Sequence, residues 1–181
     1  MSETSILLVA EIFKKSIQEV IARSCNLDVP AAKTAQIIPN VGISKEIGSF
    51  VSFDGDYSGL MVLNFEGEAA LEIVTTSLKV MGMPAEDIPS HYLSDDVVNT
   101  IGELTNHIIG KARTTMQSTY DLTAHSNIPA VVPVTAPIGL VFKAATLDGN
   151  SCVRIVFRTP QNHHFHMEMT TEPSLFVPLL S

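Results

Sequence analysis

The sequence predicts an α+β domain in which one antiparallel sheet is covered by helices. Three observations predict it. Apolar residues recur at helical spacing in three long stretches, and they alternate with a period of two in several short ones. The two kinds of segment follow one another as helix, strands, helix, then helix, strands. That order divides the chain into two halves of like plan, although the halves share little sequence.

The first helix is read over residues 6–23, where Ile6, Val9, Ala10, Phe13, Ile17, Val20 and Ile21 share a face and Asn26-Leu27-Asp28-Val29-Pro30 ends the run. Residues 47–53 and 60–65 alternate as half-buried strands around Asp54-Gly55-Asp56-Tyr57-Ser58-Gly59, so they form a hairpin. A second helix over 68–81 is stopped by Gly82 and Pro84, and residues 86–92 link it to a third. Ser94 is the N-cap of that third helix, Asp95 and Asp96 suit the positive end of its dipole, and Leu93 can staple onto Val98. Val97, Val98, Ile101, Leu104, Ile108, Ile109, Ala112 and Met116 form its apolar stripe. After Pro129 strands return at 138–145, 152–158 and 165–169, with a turn at Asp148-Gly149-Asn150.

Opposite that stripe project Asn99, Glu103, Asn106 and Gly110. Asn is a poor helix former and Gly a worse one, together costing about 1 kcal/mol or more against Ala or Lys at exposed positions. Helix stability alone would not select them. A carboxylate and a carboxamide one turn apart, with bare backbone at Gly110, make a face that a polar group of another molecule can approach.

Glu103-x-x-Asn106, followed after twenty-two residues by Pro129, resembles the signature of the CheC/CheX/FliY chemotaxis phosphatases. The stretch from Ile101 through Glu103 and Asn106 to Ala112 is similar to that family's catalytic helix. Gly48-Ser49-Phe50-Val51-Ser52-Phe53 with Ser58-Gly59-Leu60-Met61-Val62-Leu63-Asn64-Phe65 resembles its upstream hairpin. The resemblance implies a CheC/CheX-like pseudo-two-fold fold. Some members carry the Glu-x-x-Asn site on both long helices, but counting back from Pro39 by the same interval lands on Ser16 and Phe13. This chain therefore resembles the single-site, CheX-like members, which pair through their sheets into homodimers.

The activity implied is dephosphorylation of the aspartyl phosphate of a CheY-like response regulator. Asn106 would orient the attacking water and Glu103 would pair with the regulator's lysine. The magnesium ion (Mg2+) would belong to the regulator, with no cofactor bound by this chain. Asn99 stands where the family pattern usually has Asp or Ser, and would tune the approach of the partner. Gly110 and Pro129 would shape the contact surface. The alternative is a non-catalytic binding module for a response regulator or a flagellar switch component.

Composition narrows the classes. The 181 residues suffice for one domain spanning 1–181. With 17% charged residues and a mean hydropathy of +0.25, the chain is apolar enough that a partner or a second copy is expected to cover part of its surface. A net charge of −8 without a Lys/Arg cluster argues against nucleic acid and anionic membranes. Cys25 and Cys152 are isolated, which suggests two small buried residues rather than a disulfide framework or zinc site. No basic residue precedes the apolar Ile6-Leu7-Leu8-Val9-Ala10, and Glu11, Lys14 and Lys15 interrupt it, so a cytoplasmic protein is expected. His164 and His166 would share a strand face, but without a spaced third ligand a polar face on a sheet-edge strand is the better reading of His163, His164 and His166. Asp54-Gly55-Asp56 opens like a calcium loop, yet Phe65 stands where the closing Glu belongs. No nucleophile motif or phosphate-cradling loop is present, which weighs against a free-standing hydrolase of small phosphates.

Overall fold

The computed structural model describes residues 2–140 and 152–172. Three helices, α1 (Ser2–Cys25), α2 (Gly67–Val80) and α3 (Asp95–Tyr120), lie against one face of an antiparallel sheet. α1 buries Ile6, Val9, Ala10, Phe13, Ile17, Val20 and Ile21, as its periodicity requires, and Asn26 leaves it in the left-handed region at φ 52°. The sheet strands are β1 (Gln36–Ile38), β3 (Ile47–Gly55), β4 (Gly59–Phe65), β5 (Ala124–Ser126), β6 (Ala130–Pro133), β8 (Cys152–Arg158) and β9 (His164–Thr171). Their order is β1-β8-β9-β4-β3-β5, with β6 also pairing with β3. A separate short pair joins β2 (Gly42–Ile43) to β7 (Ile138–Gly139).

The pairing exposes the internal symmetry that sequence identity hides. Exchanging α1 with α3, β1 with β6, β2 with β7, β3 with β8 and β4 with β9 maps the β4–β9 and β2–β7 pairs onto themselves. It also maps the β1–β8 pair onto β6–β3. Each half lends an edge strand to the other, so neither half can complete its sheet alone.

Three expectations need correction. β4 is buried on both faces rather than half-buried, because Val41 and the β2 residue Ile43 cover the side away from the helices, and the greater part of β9 is buried likewise. There Val41, Ile43, Leu60, Val62 and Cys152 make a second, smaller core. β9 is an interior strand between β8 and β4, not a sheet edge, so its histidines are not an edge device. Each turns instead to a different carboxylate: His163 to Glu72, His164 to Glu66 and His166 to Glu168. Finally, Leu93 is 49% exposed rather than packed down as a staple, while the neighbouring Tyr92 ring lies over Gly67 at the start of α2. Of the strand expected over 138–145, residues 141–145 lie outside the described residues, as does the turn at Asp148-Gly149-Asn150.

The outer layer is held by buried polar groups that satisfy the backbone of β2. Asn64 Oδ1 accepts the Ser44 N–H at 2.7 Å, and its Nδ2 donates to the Gly42 carbonyl at 2.9 Å. Glu168 Oε2 accepts the Gly42 N–H at 2.8 Å, while Oε1 accepts from Arg154 Nε at 2.9 Å and lies 3.2 Å from His166 Nε2. Burial pushes the Glu168 carboxyl up, but the hydrogen bonds from His166, Arg154 and Gly42 outweigh it and hold the group below its ordinary value. The Asp54 and Asp56 carboxylates serve the β3–β4 turn: Asp54 accepts from Ser58, and Asp56 accepts both the N–H and the hydroxyl of Thr123. Both cysteines are buried and unpaired, and burial pushes the Cys25 thiol up to about 11.

A carboxyl whose folded value is depressed stabilises the fold above its ordinary value of 4.5, and that stabilisation is lost as pH falls through the folded value. Glu168→Gln should therefore lower unfolding stability at pH 6 to 7 by about 1.5–3 kcal/mol, the range for hydrogen bonds to charged groups. The gap from wild type should narrow below pH 4.5 in urea titrations. An equal gap at all pH values would contradict this role.

Candidate functional site

The site is built on α3. Ser94 caps it, its Oγ accepting the Val97 N–H at 3.4 Å, and Asp121 closes it in the left-handed region at φ 55°. Val97, Ile101, Leu104, Ile108, Ile109, Ala112 and Met116 are buried, while Val98 is only half-buried at the stripe's margin. Within the stripe sits a polar residue that a purely apolar pattern overlooks. Thr105 is fully buried, its hydroxyl donating to the Ile101 carbonyl at 2.7 Å and lying 2.8 Å from Ser49 Oγ on β3. It lies four residues from both Ile101 and Ile109, so the same spacing carries it into the core, although the sequence reading counted only apolar residues on the stripe.

With the stripe so anchored, Asn99, Glu103 and Asn106 are exposed and Gly110 is half-exposed, as the spacing predicts. A Cβ built at Gly110 meets nothing within 4 Å, so internal packing does not demand a glycine there. Two adjoining depressions flank these residues. One, of about 550 Å³, runs between α1 and α3 and is lined by Glu19, Val20, Arg23, Asn106, Gly110 and Lys111, among others. The second, of about 290 Å³, reaches toward the end of α2 and is lined by Ser77, Val80, Met81, Thr100, Glu103 and Leu104. Arg23, Ser24 and His107 belong to both. Val80 and Met81, 54% and 66% exposed, give the second depression an apolar rim. Asn99 and Pro129 line neither depression; Pro129 sits half-buried just before β6.

Arg23, His107, Val80 and Met81 escaped the sequence reading. Arg23 comes from α1 and Val80 and Met81 from the C-terminal end of α2, far away along the chain, and only the packing of α1 and α2 with α3 brings them to the site. Phe13 and Ser16, the positions on α1 that the spacing from Pro39 selects, lie in the core. Phe13 stacks on Phe53 at 5.5 Å and Ser16 Oγ donates to the Ile12 carbonyl. Among the described residues no group of three or more His, Cys, Asp or Glu side chains is placed to hold a metal ion, and no helix is long and apolar enough to cross a membrane.

A family model described as "Protein of unknown function (DUF3334)" matches residues 3–180. The chain belongs to the DUF3334 family. No curated protein matches this DUF3334 chain. Solved structures do. CheX from Desulfovibrio desulfuricans aligns with a TM-score of 0.74 at 21% identity, covering 91% of this chain and 99% of that one. A CheC-like superfamily protein from Shewanella sp. PV-4 aligns at 0.71 and 16% identity, covering 91% and 97%. The CheX-CheY-BeF3-Mg+2 complex from Borrelia burgdorferi aligns at 0.64 and 16% identity, covering 90% and 97%. This DUF3334 chain therefore has the fold of the CheX and CheC-like chemotaxis proteins, an α+β fold of helices on an antiparallel sheet.

If the Ser49–Thr105 hydroxyl pair seats α3, Thr105→Val should keep the shape, strand a buried Ser49 hydroxyl and cost about 1–2 kcal/mol. In urea unfolding the midpoint should fall with an unchanged slope. An unaltered midpoint would show that the pair carries no weight.

Proposed function

We propose that this chain dephosphorylates the aspartyl phosphate of a CheY-like response regulator. The observation that carries the reading is the exposure of Glu103 and Asn106 one turn apart on α3, each lining one of two adjoining depressions. The shared fold supports it, since one structure of that fold is a CheX bound to CheY. An acyl phosphate is already activated, so positioning a water in line supplies much of what hydrolysis needs. The Asn106 carboxamide holds that water, and Glu103 pairs with a lysine of the regulator to fix the pose. The water oxygen bonds to phosphorus as the bond to the aspartyl oxygen breaks, releasing the regulator's carboxylate and inorganic phosphate. Magnesium comes with the regulator, and the reaction takes place in the cytoplasm. Asn99, Gly110 and Pro129 border the contact. A second reading, a binding module without catalysis, is favoured by one feature: Asn99 replaces the Asp or Ser usual at that position.

The two readings part on rate. On the phosphatase reading Asn106→Ala should leave docking nearly intact and slow dephosphorylation about 10²-fold, roughly 2.7 kcal/mol of transition-state stabilisation. Glu103→Ala should weaken binding as well as rate, less so at high salt. A wild-type chain that binds a phosphorylated regulator without accelerating its decay would decide for the binding module.

Self-association belongs to the same proposal. Ile37 on the edge strand β1 is 56% exposed, and Ile128, between β5 and β6 at the opposite edge, is 91% exposed. Sedimentation at tens of micromolar, where even modest affinity registers, should show a dimer. Monomer alone at that concentration would count against it.

A further inference from the structure

The cations around α1 and α3 are not equivalent. Lys14 is paired with Glu11, and Lys111 is tied to Glu19 at 2.8 Å across the first depression. Arg23, in the last turn of α1, is exposed and has no carboxylate partner among the described residues. It lines both depressions, sharing one with Asn106 and the other with Glu103. That placement has an electrostatic consequence. The phosphoryl oxygens stay partly anionic even with the regulator's magnesium and lysine in place, Glu103 is taken up by that lysine, and the approaching chain carries a net charge of −8. A neutral amide cannot offset that repulsion. A guanidinium can, because its planar fork matches phosphoryl oxygens bidentately and stays charged at every working pH.

We propose that Arg23 pairs with the phosphoryl oxygens of the docked regulator and makes the complex selective for the phosphorylated form. The inference rests on the phosphatase reading and deepens it: Glu103 reads the regulator, Arg23 reads its phosphorylation state, and Asn106 acts on the bond. Lys111 cannot substitute without giving up Glu19. An unphosphorylated regulator offers Arg23 no phosphoryl group, so the pairing contributes only when there is something to hydrolyse.

The test measures binding of a purified CheY-like regulator, with and without beryllofluoride and magnesium, to wild type, Arg23→Ala, Arg23→Lys and Lys33→Ala. Lys33 is exposed and lines neither depression, so its loss changes net charge equally but at a distance from the site. Arg23→Ala should weaken binding of the loaded regulator about tenfold and leave the unloaded one nearly unchanged. Arg23→Lys should restore part of the difference, and Lys33→Ala should shift it less than twofold. Equal discrimination by wild type and Arg23→Ala, or an equal loss in Lys33→Ala, would overturn the assignment of Arg23 while leaving the phosphatase reading standing. A wild-type chain that neither prefers the loaded regulator nor speeds its dephosphorylation would overturn both.

Discussion

The rotation of α3 about its own axis is the constraint on which the proposed docking face depends. One residue of slip turns a helix by roughly 100°, enough to carry Glu103 from solvent into the core. Two things prevent it: the buried stripe from Val97 to Met116, and the Ser49–Thr105 hydroxyl contact that ties the middle of the helix to β3. The stripe favours burial but tolerates small rotations, since apolar contact is not directional. A hydrogen bond between two fully buried hydroxyls is directional and costly to leave unmade. It lies between Glu103 and Asn106 in sequence, so its orienting effect falls where the proposed chemistry needs it.

Beneath α3 the sheet is itself held from both sides. Its helix-facing side carries the main core, and on its other side Val41 and the β2 residue Ile43 pack over Leu60, Val62 and Cys152. Asn64 and Glu168 are buried there because they answer the backbone groups of β2, which has only a two-residue partner strand to pair with. The halves also exchange edge strands, since β1 pairs with β8 and β6 with β3. A scaffold interlocked in this way suits a site that works by positioning, where misplacement of a side chain lowers rate directly.

The helices and the polar face of α3 were legible because 3.6-residue periodicity is a local property: Ser94, the stripe and the exposed Asn99, Glu103 and Asn106 all follow from spacing within one segment. The double burial of β4 was not legible. Its run Leu60-Met61-Val62-Leu63-Asn64-Phe65 is apolar at almost every position, which fits a fully covered strand as well as a hairpin arm, and only the docking of Val41 and Ile43 over it decides between them. Asn64 within that run marked a buried polar contact whose partner, β2, is not recognisable as a strand at two residues. Arg23 and Met81 reach the site only through the packing of three helices, a relation that no spacing along one helix encodes. The resemblance to CheX-like proteins pointed to the fold, and the solved structures of that fold bear it out.

On the proposed function, the exposed face of α3 receives a response regulator with Asn106 at the phosphoryl group. That placement is tested most directly by following the side-chain amide resonance of Asn106 in a nitrogen-labelled chain as a CheY-like regulator is added with beryllofluoride and magnesium. The account predicts a large shift of that resonance, with perturbed backbone amides confined to α3 and the adjoining ends of α1 and α2. Binding that leaves Asn106 unmoved and perturbs the sheet edges instead would contradict it.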